Sequence, residues 1–277
     1  MYFFAILVAF LLQCAESSVA ESVLNSYIDL LELSITGYLS DQHKYSFNVS
    51  RREKGNDWPK VGDTMVGNIR MKNVRDALIR VVQNNIPGDF IELGVWRGGV
   101  CVFARGVLNA LGQENRQVHL FDAFSKMGNV YRNASDFLAV SEAQVRFNFA
   151  KYHLNGPNVV FHKGYFKDTV PPFGKQLGRN TIAVLRIDGN FYDSYQDAMY
   201  YLYEKVPVGG VVIFDDVMSH VHVMKFWNEF RSEQKLTETL IPLDEHSAYF
   251  IKEVDVVIDF KFFRKPQDIN KLTSPLN

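Results

Sequence analysis

From Asp89 onward the chain switches repeatedly between short apolar runs and stretches whose apolar residues recur at helical spacing. The runs DFIELGV (89–95), QVHLFDAF (117–124), NVVFHKG (158–164), TIAVLRIDG (181–189) and GGVVIFDDV (209–217) predict strands. Between and after them, Val100–Leu111, Ser141–Lys151, Ser194–Lys205 and Val221–Gln234 predict helices, with Ser141 placed as an N-cap. Upstream, Val23, Leu24, Tyr27, Ile28, Leu30 and Leu31 give a helix over 21–45. Residues 46–63 read as loop, and Arg70–Val82 as a second helix closed by Asn84-Asn85-Ile86-Pro87-Gly88. Near the end, SAYFIKE and VVIDFKFF predict a closing pair of antiparallel strands. Strands alternating with helices argue for an α/β fold with a mostly parallel central sheet and helices on both faces.

The first twenty residues follow a different pattern. FFAILVAFLL (3–12) is an unbroken apolar run followed by Ser18-Val19-Ala20. A bilayer span needs about 20 apolar residues, so no stable membrane span is expected. The run predicts a signal peptide over 1–20, cut after Ala20 or Ala15, and so a secretory-pathway protein of the endoplasmic reticulum, Golgi lumen or extracellular space. The alternative is a buried N-terminal helix. The sequons at Asn48 and Asn133 agree with secretion and glycosylation. Of two cysteines, Cys14 lies in the expected leader, so Cys101 stands alone and reads as a small buried apolar residue.

Composition narrows the partners. The 277 residues are 47% hydrophobic with a formal net charge of −1, a globular balance with no excess basicity to draw nucleic acid.

In a parallel α/β sheet, ligands sit beyond the carboxyl ends of the strands. Four of the five central strand ends carry an acid: Glu92, Asp122, Asp188 and the pair Asp215-Asp216. The glycine loop Gly94-Val95-Trp96-Arg97-Gly98-Gly99 allows close approach of backbone to a ligand. Asp122, ending the next strand, stands where a nucleotide-binding fold places its ribose acid. Glu92 before the loop repels a diphosphate and suits an ammonium or sulfonium, as in S-adenosylmethionine. Asp188, Asp215 and Asp216 are hard oxygen donors suited to Mg²⁺ or a similar divalent cation; the alternative is a solvated acidic turn. Residues 125–140, with Tyr131 and Phe137, read either as a lid or as an ordinary loop.

The strings DWPKVGDTMVGNIRMKNV (57–74), PGDFIELGVWRGGVCVFARGVL (87–108), VHLFDAF (118–124), VSEAQVRFNFAKYHL (140–154), GYFKDTVP (164–171) and LRIDGNFYDSYQDAMYYLYEKVPVGGVVIFDDV (185–217) resemble the macrocin O-methyltransferase (TylF-like) family in order and spacing. The resemblance implies a Rossmann-like class I methyltransferase core over 85–277, with a helical segment 21–84 covering the cofactor site. It implies S-adenosylmethionine as methyl donor, a divalent metal, and a sugar-type hydroxyl on a small-molecule or glycan acceptor, with a homodimer as the candidate assembly. By position, Thr64, Met65, Glu92, Gly94, Arg97, Gly98, Gly99, Asp122, Gly164 and Tyr165 would face the cofactor. Asp188, Asp215 and Asp216 would hold the metal, with Asp188 also the candidate base. Leu93 and Asn190 depart from the family pattern, Asn190 replacing the second acid of its Asp-Gly-Asp string, and Ser125-Lys126-Met127 stands where the family tends to have Gly-Leu-Pro. The rival readings are a nicotinamide-dependent oxidoreductase and a non-catalytic binding protein on the same fold.

Overall fold

The computed structural model describes residues 2–41, 48–126 and 135–264. The chain runs α1 (Tyr2–Ile35), α2 (Val49–Glu53), α3 (Asn68–Gln83), β1 (Asp89–Leu93), α4 (Gly99–Ala110), β2 (Val118–Asp122), α5 (Ser135–Leu138), α6 (Glu142–Lys151) and β3 (Val159–Lys163). It continues with α7 (Phe166–Gln176), β4 (Ile182–Ile187), α8 (Tyr192–Leu202), β5 (Val211–Phe214), α9 (Val221–Glu233), β6 (Ile241–Pro242) and β7 (Ala248–Ile251).

The seven strands form one sheet in the order β3-β2-β1-β4-β5-β7-β6. The first five are mutually parallel, while β7 runs antiparallel to β5 and β6 antiparallel to β7. Strand order reverses between β1 and β4, and a ligand crevice is expected above that junction. Period-two alternation splits the core into two layers. Phe90, Leu120, Val184 and Ile213 pack toward α1, α3 and α4, whereas Ile91, Leu93, Leu185, Ile187 and Phe214 face the layer of α8 and α9.

Helix α1 runs unbroken through both expected cleavage points, Ala15 and Ala20, and beyond them is built into the core, with Ile28, Leu31 and Ile35 buried. Asn48 of the first sequon caps α2, its side-chain oxygen accepting the Arg51 N–H at 3.1 Å. Asn133 lies outside the described residues. In the closing antiparallel pair, SAYFIKE is β7, but its outer partner is Ile241–Pro242; VVIDFKFF contains only a short 3₁₀ turn, Phe260–Phe262. Helix α7 went unforeseen because Pro171 and Pro172 interrupt its pattern.

Candidate active site

The ends of the central strands are stitched together one step beyond the regular ladder. Gly164 N–H donates to Asp122 C=O, Gly94 N–H to Phe121 C=O, Asp188 N–H to Leu93 C=O and Asp215 N–H to Ile187 C=O, all at 2.8–2.9 Å. These bonds set Asp122, Gly94, Asp188 and Asp215 along one edge of the sheet. Alternation adds that Glu92, Arg186 and Asp188 point to the same face as Phe90 and Val184, where the apolar layer gives way to polar groups.

Gly94 is required by this junction. Its φ is +88°, and a Cβ there would collide with the Asp188 carbonyl oxygen. The glycine loop and Asp188 are therefore in backbone contact across β1 and β4.

Arg186 organises the acids. It lies directly opposite Glu92 in the β1–β4 register and is 1% exposed. Its guanidinium pairs with Glu92, with Asp215 and, at 3.1 Å, with Asp188. Arg70 of α3 pairs with Asp215 at 2.6 Å and Asp244 at 3.0 Å. Burial alone would favour neutral arginine, but the surrounding carboxylates hold Arg186 well above its ordinary range.

The three aspartates expected at a metal meet. Asp188, Asp215 and Asp216 each offer an oxygen within 4.8 Å of the others. Tyr195 fixes two of the strand ends, donating its hydroxyl to Ile187 C=O at 2.9 Å and accepting the Asp216 N–H at 3.3 Å. Burial, then Asp215, pushes the Asp188 carboxyl well above the usual range. The same two influences bring Asp216 up to about 6 against the pull of His220, whose Nδ1 lies 3.7 Å away. For Asp215, burial is outweighed by Arg186 and Arg70, and its pKa falls. Acids outnumber the cations here: Arg186 and Arg70 pair with Glu92, Asp188, Asp215 and Asp244, and Asp216 joins the same cluster. The crowding raises the Asp188 and Asp216 pKa values, as expected of hard oxygen donors that a divalent cation would suit.

The residues expected at the cofactor fall into two groups. Asp122 has one oxygen accepting the N–H groups of Val95 and Trp96 at 2.9 and 3.3 Å, and the other accepting that of Phe124 at 2.8 Å. It remains partly open, beside Gly164 and the half-exposed Tyr165. Met65 is also partly open, while Thr64 is buried and accepts the Val66 N–H at 3.0 Å.

The second group is turned to internal partners. Glu92 is 1% exposed and holds Arg186 with one oxygen and the Cys101 thiol with the other, at 2.7 Å. Cys101 is buried as expected, and burial followed by Glu92 raises its pKa. Arg97 donates to the carbonyls of Pro59, Lys60 and Gly62 at 2.8–3.3 Å. Gly99 N–H, in the first turn of α4, donates to Asp63 C=O at 3.1 Å. Asp63 is fastened by Lys151 at 2.8 Å and Tyr152 at 3.1 Å. The segment 59–65 therefore straps down over the glycine loop. It also occupies the helix terminus on which a dinucleotide would rest its pyrophosphate, which counts against the nicotinamide reading.

Sequence reasoning missed Arg186, Arg70 and Asp63. For Arg186 a signal existed: a lone cation in the otherwise apolar AVLRI, two residues before Asp188 as Glu92 is two before Gly94. Phe137, in the expected lid, stacks on Trp58 and packs against Trp96; Tyr131 lies outside the described residues.

Comparison with known proteins gives consistent matches. The family model described as macrocin-O-methyltransferase (TylF) matches residues 13–252. Demethyldecarbamoylnovobiocin O-methyltransferase of Streptomyces niveus is 36% identical over 245 residues, covering 81% of this chain and 92% of that protein. Mycinamicin III 3''-O-methyltransferase of Micromonospora griseorubida is 30% identical, covering 81% and 95%. The solved structure of the O-methyltransferase NovP superposes with a TM-score of 0.77 at 35% identity, over 83% of this chain and all of that one. The calicheamicin methyltransferase CalS11, with a TM-score of 0.55 at 17% identity, shares the fold. The family match begins at residue 13, upstream of both expected cleavage points, and these relatives are bacterial methyltransferases. The secretory localisation expected from the apolar run is corrected accordingly. Among the described residues, no helix is long and apolar enough to cross a membrane.

Proposed function

Because the chain belongs to the macrocin O-methyltransferase family and is an S-adenosylmethionine-dependent O-methyltransferase, we propose that it methylates a sugar hydroxyl of a small glycoside in a metal-dependent reaction. The observation that carries this reading is the position of Asp188. Its backbone touches the glycine loop at Leu93 and Gly94, while its side chain joins Asp215 and Asp216. One residue thus borders both the methyl-donor side and the acid cluster.

In this reading Asp122, Gly164 and Tyr165 receive the nucleoside part of the cofactor, and the loop 94–99 under its strap receives the methionine part. Asp188, Asp215 and Asp216 would hold the divalent ion, which supplies Lewis acidity that lowers the pKa of an acceptor hydroxyl. The acceptor oxygen forms a C–O bond as the methyl–sulfur bond breaks, and its proton passes to a carboxylate oxygen of Asp188. Asn190 supplies no second carboxylate in this turn, which leaves the base role to Asp188. The protein contributes chiefly alignment of the two reactants, and the strap excludes competing water.

The test is transfer of labelled methyl from S-adenosylmethionine to demethyldecarbamoylnovobiocin and to a panel of rhamnosides, with and without EDTA. Transfer should stop with EDTA and return with Mg²⁺, and Asp188→Asn should lower kcat by about 10²–10⁴. Transfer unaffected by EDTA would remove the metal from the proposal. Failure to bind S-adenosylhomocysteine would favour the binding-protein reading.

A further inference from the structure

Three aromatic rings and a guanidinium form a continuous pile at the mouth of the glycine loop. Arg97 lies 4.2 Å from the Trp96 ring and 5.3 Å from that of Phe137. Trp96 sits in the loop itself at φ +46°, an uncommon conformation for a bulky residue, and donates its indole N–H to Phe137 C=O at 3.1 Å. Phe137 packs against Trp96 at 5.3 Å and, nearly parallel at 7°, against Trp58 at 5.1 Å. The outermost ring, Trp58, is 52% exposed.

Its position is firmly set. On one side Asp57 holds buried Arg52 at 2.9 Å and Asn56 bonds His246 at 2.7 Å. His246 lies two residues from Asp244, which shares Arg70 with the acid cluster. On the other side Pro59 and Lys60 are held by Arg97. Trp58 thus stands immediately before the strap, joined through Phe137 to the glycine loop and through Asn56 and His246 to the turn that carries Asp244, with half of its surface left in water. A half-exposed, pre-positioned indole loses little freedom on binding and offers a flat apolar contact.

We propose that Trp58 is the platform for the flat apolar aglycone of the acceptor, so that the enzyme selects glycosides bearing an aromatic or similarly planar group next to the methylated sugar. This rests on the glycoside-methylating function proposed above and adds the part of the acceptor remote from the reacting hydroxyl. The pile makes Trp58 specificity-determining; it takes no part in the chemistry.

The test compares 4-nitrophenyl and methyl α-L-rhamnopyranoside binding to the full chain saturated with S-adenosylhomocysteine, by titration calorimetry and ligand-observed saturation-transfer NMR. The wild type should bind the nitrophenyl glycoside about tenfold more tightly, corresponding to about 1.4 kcal/mol. Trp58→Ala should erase that preference, Trp58→Phe should retain most of it, and neither should change S-adenosylhomocysteine affinity. A preference that survives Trp58→Ala overturns the proposal, as does an equal loss of cofactor affinity. If S-adenosylhomocysteine binds but neither glycoside does, the platform is refuted while the methyltransferase function stands. If S-adenosylhomocysteine itself fails to bind, the function proposal fails first and the platform falls with it.

Discussion

Replacing Arg186 by methionine isolates the interaction on which the site's electrostatics turn. Methionine fills a comparable volume with apolar atoms, so the cavity contribution is small and the loss is mainly one of charge pairing. Removing one partner of a buried ion pair costs about 3–5 kcal/mol, because the other charge is left stranded. Asp215 keeps Arg70, and Asp188 is partly open to solvent. Most of the loss therefore falls on Glu92, whose remaining side-chain partner is the Cys101 thiol. The lower end of the range, about 3 kcal/mol, is expected. For a chain of this length each kcal/mol moves Tm by about 2 °C, which gives a drop of about 6 °C. Urea denaturation and thermal melts followed by circular dichroism at pH 8 measure both quantities. Adding Glu92→Gln to Arg186→Met removes the stranded charge and should recover at least about 1 kcal/mol relative to additive behaviour. If Arg186→Met stays within about 0.5 kcal/mol of the wild type, or the two substitutions simply add, Arg186 is not the counter-ion of a buried Glu92 carboxylate.

Further predictions address the backbone junction and a buried acid. Gly94→Ala forces a methyl group into the Asp188 carbonyl at φ +88° and should cost about 3 kcal/mol in urea denaturation. Gly112→Ala, at φ +68° but with open space around it, should cost only about 1–2 kcal/mol; equal losses would show that the left-handed backbone, and not the approach of the two strands, makes Gly94 necessary. Burial, then Asp193 and Asp168, raises the Asp197 carboxyl to about 7. Because the folded pKa exceeds the unfolded one, the stabilisation associated with its proton is complete below the unfolded pKa of about 4 and is lost as pH rises through 7. Asp197→Asn should therefore raise stability at pH 8 by about 2–4 kcal/mol and leave it nearly unchanged at pH 4; a gain independent of pH, in melts across that range, would mean that Asp197 is already ionised in the fold at low pH.

What the sequence alone determined is whatever depends on short-range pattern. The five parallel strands and most of the helices between them follow from local periodicity, and the Ser141 cap from local hydrogen bonding. The acids at the strand ends were legible because a carboxylate closing an otherwise buried run stands out from its pattern, although Glu92 and Asp215 are turned to internal partners. Asp188, Asp215 and Asp216 accordingly meet as expected. The tertiary structure decided what depends on contacts distant along the chain. The pairing of Glu92 with Arg186 is a matter of inter-strand register, since a shift by one residue would turn both to the other face. The use of Arg97 and Gly99 to bind the strap required knowing where residues 59–63 lie. The N-terminal segment shows the limit most clearly. A ten-residue apolar run looks the same in a leader and at the start of a longer helix; periodicity foresaw a helix from residue 21, but only the tertiary structure shows it continuous with that run and packed into the core through Ile28, Leu31 and Ile35, because continuity and partner surface are not encoded in local spacing.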